Sequence, residues 1–72
     1  LEEIPVSSGA AFVNKNLMDS GIRKRYDVIV VAIKREDGRM HFNPKPDTMI
    51  LAGDIMIVLG ESEHINALMR ES

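Results

Sequence analysis

Two apolar segments decide the fold of this chain: residues 28–33 (VIVVAI) and residues 55–59 (IMIVL). Both are rich in β-branched residues, and neither alternates apolar with polar positions. A strand with one face in solvent shows such alternation, so both segments predict strands that are buried on both faces. Each face of the sheet that they form therefore needs a cover.

Two further strands are predicted around this pair. Residues 1–6 predict a strand at the edge of the sheet, because Pro5 has no N–H to donate to a neighbouring strand. Asp37-Gly38 is typical of a hairpin turn, from which residues 40–42 return as a second strand. Residues 43–47 contain two prolines and predict a loop.

Two amphipathic helices complete the set of elements. The first is predicted to begin at Leu17 with Asn16 as its N-cap, and the second is capped by Ser62. Apolar residues in both recur every three or four positions, as on the buried face of a helix. The residues predicted to face the core are Met18, Ile22, Tyr26, Ile65, Leu68 and Met69.

The predicted order is β-α-β-β-β-α, an α+β fold with a small and mostly antiparallel sheet. Two arrangements would cover the sheet. One helix could lie on each face, or both helices could pack mainly on one face with a dimer partner on the other. The second arrangement is favoured, because a domain of 72 residues buries only about 60% of the surface of its unfolded chain. We expect a single domain spanning residues 1–72.

The composition excludes several classes of protein. The chain is 44% apolar and 28% charged, which fits a globular domain. It has no cysteine, which excludes disulfide scaffolds and thiolate zinc sites. No apolar run approaches the roughly 18–20 residues of a membrane span, so direct membrane insertion is not expected. The chain begins at Leu1 without Met, as expected of a piece of a longer protein.

Charge is unevenly distributed along the chain. Residues 23–45 contain seven basic and three acidic residues, although the whole chain has a net charge of −2. This excess indicates either an anion site or a solvated surface, and composition alone favours the surface. Arg35, which follows an apolar strand, could bind phosphate or pair with acids of the hairpin. Asn43 could contact a base or form the turn before Pro44.

No catalytic, metal or nucleic-acid site is predicted. The serines have no neighbouring histidine, and His41 and His64 lack a third metal ligand. The five glycines are scattered and match no nucleotide-binding loop. Beside the basic run at residues 23–25, Tyr26 is the only aromatic residue, whereas nucleic-acid platforms need several. We expect a domain that is not an enzyme.

Five segments are similar, in order and spacing, to those of one known domain. They are residues 14–17 (NKNL), 21–27 (GIRKRYD), 31–35 (VAIKR), 43–48 (NPKPDT) and 53–60 (GDIMIVLG). Together they make essentially the whole chain resemble the RCK C-terminal domain, also called TrkA-C, of cytosolic regulators of potassium transport. One departure is Asn14, where that family often has glycine.

The resemblance implies a regulatory domain of a potassium channel or transporter at the cytosolic face of the membrane. Such domains form two-fold homodimers and are covalently attached to a nucleotide-binding RCK lobe or to a membrane transporter. In some relatives cyclic di-AMP binds at the dimer junction. By this resemblance Ile29 and Val30 would contact the base, Arg35 the phosphate, and His41 or Asn43 the adenine. The alternative is a structural dimerisation module without a ligand.

Overall fold

A four-stranded antiparallel sheet and three short helices form the computed structural model, which describes residues 1–72. The strand order is β1-β4-β2-β3, so the two segments that are apolar throughout are the two central strands. The predicted α+β class and the antiparallel sheet are confirmed. The elements are β1 (Glu2–Pro5), α1 (Leu17–Ser20), α2 (Ile22–Tyr26), β2 (Ile29–Lys34), β3 (Met40–Phe42), β4 (Ile55–Leu59) and α3 (Ser62–Glu71).

The helices pack on one face of the sheet, where the core lies. Met56 of β4 pairs with Ile4 of β1 on one side and with Ile33 of β2 on the other, and none of the three is exposed. Their burial supplies a large part of the stability of the domain, at about 1.5–3 kcal/mol for each large apolar side chain. The helices add Ile22, Tyr26, Ile65 and Leu68 to this core.

The opposite face of the sheet has no cover within the chain. Alternate residues of β4 point to it, and their cross-strand partners on β2 and β3 do the same. Ile29 is 58% exposed and Phe42 is 76% exposed. The sequence left two arrangements open, with the helices on both faces of the sheet or on one. The structure has them on one face. The uncovered surface is called the open face: Ile29, Ala32, Met40, Phe42, Ile55, Ile57 and Leu59, with Glu3, Pro5 and Lys34 on the same side of the sheet.

A β-bulge explains how β2 can be apolar throughout. The register against β4 shifts between Val30 and Ala32, so that one extra residue is inserted. Val30 and Ile33 therefore both lie on the face covered by the helices, although they are three positions apart. Ala32 lies between Ile57 and Phe42 on the open face. A simple two-residue period could not produce this distribution.

The first helix is broken at Gly21, where the sequence predicted a continuous helix. Gly21 has a φ of 68° and donates its N–H to the Met18 carbonyl at 3.2 Å, which ends α1 in a left-handed cap. The break turns α2 relative to α1, so Ile22 and Tyr26 are buried but Met18 is 69% exposed. The prediction that Met18 faces the core is wrong for this reason, and the same prediction for Met69 is wrong because its side chain on α3 is 40% exposed.

The predicted ends of the helices are partly confirmed. Asn16 caps α1, since its Oδ1 accepts a hydrogen bond from the Asp19 N–H at 2.7 Å. The N-cap of α3 is Glu61, one residue before the predicted Ser62, and it makes no side-chain capping bond. None of the three helices has the length and apolarity that crossing a bilayer requires.

The Asp37-Gly38 hairpin forms as predicted between β2 and β3. Gly38 has a φ of 90° and donates its N–H to the Arg35 carbonyl at 3.0 Å. The Arg35 N–H in turn donates to the Arg39 carbonyl at 2.8 Å and closes the turn. Asp37 and Arg39 also form an ion pair at 2.8 Å, but both of its side chains are exposed.

A buried ion pair ties this hairpin to the loop before β4. The Arg35 guanidinium donates to the Asp54 carboxylate and, at 2.9 Å, to the Met49 carbonyl. The Leu51 N–H donates to the same Asp54 oxygen at 2.8 Å. The Asp54 side chain is 2% exposed and that of Arg35 is 14% exposed. Both charges are therefore largely removed from water, and each is stabilised by the other.

Asp54→Ala is expected to lower the free energy of unfolding by about 3–5 kcal/mol, because it leaves the Arg35 charge buried without its partner. Urea denaturation followed by circular dichroism measures this change. Asp37→Ala is the matched control, since it removes an aspartate from the exposed pair with Arg39. It is expected to change stability little, and equal losses in both variants would contradict the argument.

Gly21→Ala is expected to destabilise the chain by about 1–2 kcal/mol, because a left-handed backbone brings Cβ close to a carbonyl oxygen. The added Cβ would also lie 3.3 Å from Arg25 Cδ. Gly9→Ala is the control, since no atom lies within 4 Å of its added Cβ. The measurement is the midpoint of thermal unfolding. An unchanged midpoint for Gly21→Ala would show that α1 and α2 tolerate a continuous helix.

Candidate functional site

A cleft of about 450 Å³ lies between the first two helices, the start of β2 and the loop after β3. Its wall is largely apolar, and its two charged side chains, Arg23 and Lys24, are both basic. No carboxylate lines it. We name it the ligand cleft for the role that we propose for it, and it is formed by Leu17, Met18, Ile22, Arg23, Lys24, Val28, Ile29, Val30, Asn43, Pro44 and Pro46.

The break at Gly21 gives the cleft its cationic side. It places Ile22 in the core, and the next two residues, Arg23 and Lys24, then lie exposed at the cleft. From the sequence, this basic run was only part of the charge excess over residues 23–45, and neither Arg23 nor Lys24 was predicted to bind a ligand. The signal that could have found it is the position of Arg23 and Lys24 directly after a buried Ile22 and shortly before a strand.

Three of the five residues predicted to bind a ligand come together in this cleft. Ile29 and Val30 line it from β2, and Asn43 lines it from the loop after β3. Asn43 has a φ of 47° and donates its N–H to the Val31 carbonyl at 2.8 Å. Asparagine tolerates this left-handed conformation better than most residues, so Asn43 also forms the turn before Pro44.

Arg35 and His41 do not line the ligand cleft. Arg35 follows the other end of β2, about 20 Å along the strand from Ile29 at about 3.3 Å per residue, and its guanidinium contacts Asp54. His41 is exposed on the edge strand β3, where it pairs with Ile33. The structure thus favours the ion-pair interpretation of Arg35, although its partner is Asp54 and not an acid of the hairpin.

A second cleft, of about 400 Å³, lies between the end of α2 and the start of α3. We call it the acidic cleft. Arg23 lines it as well, together with the acidic residues Asp27 and Glu61. Ile29 is also shared, so the two clefts adjoin at the border of the open face. The acidic cleft is formed by Arg23, Asp27, Val28, Ile29, Leu59, Gly60, Glu61 and His64.

His64 lies among carboxylates in the acidic cleft. Its Nδ1 is 4.0 Å from Asp27 Oδ2, and its Nε2 is 3.9 Å from Glu63 Oε1. The Nδ1 atom is buried without a hydrogen-bond partner. One ligand atom from each of Glu61, Glu63 and His64 lies within 4.8 Å of the others, and both glutamates are exposed.

Two groups in the chain have clearly shifted pKa values, and neither lines a cleft. Burial raises the pKa of the Tyr26 hydroxyl, and the nearby Arg25 guanidinium opposes part of that rise. A hydrogen bond from the Arg39 backbone N–H, at 3.0 Å, lowers the pKa of the exposed Asp37. Neither group is placed to exchange a proton with a molecule in the ligand cleft.

Solved structures with the same fold carry a cyclic dinucleotide. The RCK_C domain dimer of S. agalactiae BusR in complex with c-di-AMP superimposes with a TM-score of 0.89 at 23% identity, over 97% of this chain and 91% of that chain. The C domain of the potassium transport protein KtrA in complex with c-di-AMP gives a TM-score of 0.83 at 25% identity, over 99% of this chain and 80% of that one.

The sequence comparisons agree with the fold. The K(+)/H(+) antiporter subunit KhtT of Bacillus subtilis is 30% identical over 71 residues, which is 99% of this chain and 43% of KhtT. The chain thus spans less than half the length of the curated relatives it matches. The model of the TrkA-C domain matches residues 1–72. The chain therefore belongs to the TrkA-C domain family, as the resemblance in its sequence predicted.

Proposed function

We propose that this chain is a non-enzymatic regulatory domain of a potassium transport system, which dimerises and binds cyclic di-AMP in the ligand cleft. In this proposal it acts at the cytosolic face of the membrane, as part of a longer protein with a nucleotide-binding lobe or a membrane transporter. The observation that carries the proposal is an apolar cleft with two cations and no carboxylate, which adjoins an uncovered apolar face.

Dimerisation is supported by the open face. A typical specific interface buries about 800 Å² on each partner, which is roughly a sixth of the 4619 Å² that this chain exposes. Ile29, Phe42 and Leu59 would lose their contact with water in such an interface. The solved BusR domain, which has the same fold, is a dimer. A second copy of this chain is the occupant that we propose for the open face.

The chemistry of the ligand cleft and the symmetry of a homodimer support cyclic di-AMP as the ligand. Cyclic di-AMP has two adenines and two phosphates related by a two-fold axis, so a homodimer can offer each half the same surface. The apolar residues Ile29 and Val30 would contact a base, and the amide of Asn43 could donate to or accept from its edge. The anionic phosphate would lie near Arg23 and Lys24. The KtrA and BusR complexes contain this same ligand.

The position of Ile29 connects ligand and dimer. Ile29 lines the ligand cleft and also lies on the open face, so a partner on that face would border the cleft. A ligand bound there can shift the pair between two arrangements only if it binds one of them more tightly. We infer that regulation acts through this difference in affinity, which the longer protein would transmit to its transport unit.

Leu59→Lys is expected to convert the dimer to a monomer, because it places a charge beside Ile29 on the apolar part of the open face. Sedimentation equilibrium of the purified domain measures the change. Met69→Lys is a matched control: Met69 on α3 is 40% exposed and Leu59 is 43% exposed, but Met69 is not on the open face. A parent chain that sediments as a monomer at high micromolar concentration would refute the dimer.

Arg23→Ala is expected to weaken the binding of cyclic di-AMP about tenfold or more, since a hydrogen bond to a charged group contributes about 1.5–3 kcal/mol. Isothermal titration calorimetry measures the affinity. Arg39→Ala, which removes an exposed arginine of the hairpin, is the control and should bind like the parent. If instead a folded Arg35→Ala loses binding and Arg23→Ala does not, the phosphate role predicted for Arg35 from the sequence is correct.

The alternative function is a structural dimerisation module without a ligand. It predicts the same dimer and the same effect of Leu59→Lys. It differs in calorimetry, where the parent would release no heat with cyclic di-AMP. The basic ligand cleft favours the regulatory function, because a purely structural module has no need to keep two cations beside an apolar cleft.

A further inference from the structure

Arg23 is the only charged side chain that lines both clefts. On one side it lies beside Lys24 in the ligand cleft, which has no carboxylate. On the other side it lines the acidic cleft together with Asp27 and Glu61. Arg23 therefore lies at the boundary between the ligand cleft and a cleft in which the chain has its own carboxylates.

Arg23 and Glu61 are opposite charges without partners. Neither forms an ion pair in the structure, although both line the acidic cleft. Asp27 is engaged in part, because its Oδ2 lies 4.0 Å from Nδ1 of His64. Both Arg23 and Glu61 are exposed, so their side chains can change rotamer at little cost. Because both line the same cleft, Coulomb attraction favours those rotamers of Arg23 and Glu61 that bring the two charges closer.

We propose that Glu61, with a smaller contribution from Asp27, competes with the ligand for the Arg23 guanidinium and so sets the affinity of the ligand cleft for phosphate. This inference rests on the proposed function, because it concerns the same cleft. When an anion binds in the ligand cleft, Arg23 loses its favourable interaction with the acidic cleft. The observed affinity for the anion is lower by the free energy of that interaction. Glu61 and Asp27 are thus affinity-setting residues that do not touch the ligand.

Glu61→Gln is expected to tighten the binding of cyclic di-AMP roughly two- to fivefold, which is the range of exposed ion pairs. Asp27→Asn is expected to act in the same direction and less strongly. Glu63→Gln is the matched control: its carboxylate lies within 4.8 Å of that of Glu61, but Glu63 does not line the acidic cleft that Arg23 shares. It removes the same charge and should leave the dissociation constant nearly unchanged. An equal effect of Glu61→Gln and Glu63→Gln would overturn the inference.

A double-mutant cycle separates competition for Arg23 from simple repulsion of the ligand. If Glu61 acts through Arg23, then Glu61→Gln has no effect in an Arg23→Gln background. If Glu61 only repels the phosphates, the gain persists in that background and the inference is wrong. In the chain without ligand, nuclear magnetic resonance of the Arg23 Nε–Hε group gives a second readout. Its exchange with water should be faster in Glu61→Gln, and an unchanged rate would also count against the inference.

Failure of the proposed function can be distinguished by experiment from failure of this inference. If the parent does not bind cyclic di-AMP, that function fails, and titration with pyrophosphate then tests the inference alone. Tighter pyrophosphate binding by Glu61→Gln, and not by Glu63→Gln, would support it. No pyrophosphate binding, or equal binding by the two variants, would overturn it.

Discussion

The central strands β2 and β4 carry apolar side chains on both faces, and the helices of this chain can cover only one of them. The covered face becomes the core around Met56 and Ile33. The uncovered face leaves Ile29 and Leu59 as exposed neighbours on adjacent strands. Because removing apolar area from water is the main driving force of association, this face is the physical reason why a second copy is expected.

Local backbone geometry determines where the charged groups of the domain lie. The left-handed cap at Gly21 separates two short helices and turns Arg23 to the boundary between the clefts. The buried pair of Arg35 and Asp54 anchors the hairpin to the loop before β4. Arg35 thus stabilises the fold, whereas the exposed Arg23 forms no ion pair in the structure and is accessible to an anion. This division follows from burial, since a buried guanidinium needs a fixed partner and an exposed one does not.

In the function that we propose, the two clefts act in binding. The ligand cleft combines an apolar wall with cations, and the acidic cleft beside it provides opposite charge within reach of the same arginine. A regulatory domain benefits from such an arrangement, because an intermediate affinity allows the ligand to dissociate when its concentration falls. Membership of the TrkA-C family agrees with a regulatory domain.

By itself, the sequence determined the fold class, the edge position of the strand with Pro5, the Asp37-Gly38 hairpin and the family. These depend on local propensity and on short patterns that can be read within one segment. The family resemblance in the sequence also implied Ile29, Val30 and Asn43 as ligand-binding residues, and these three line one cleft. Only the tertiary structure decided that Arg35 pairs with Asp54, nineteen positions away, and that Arg23 lies at both clefts. Both depend on long-range packing and on the turn at Gly21, and no pattern of neighbouring residues specifies which charge ends up buried beside which partner.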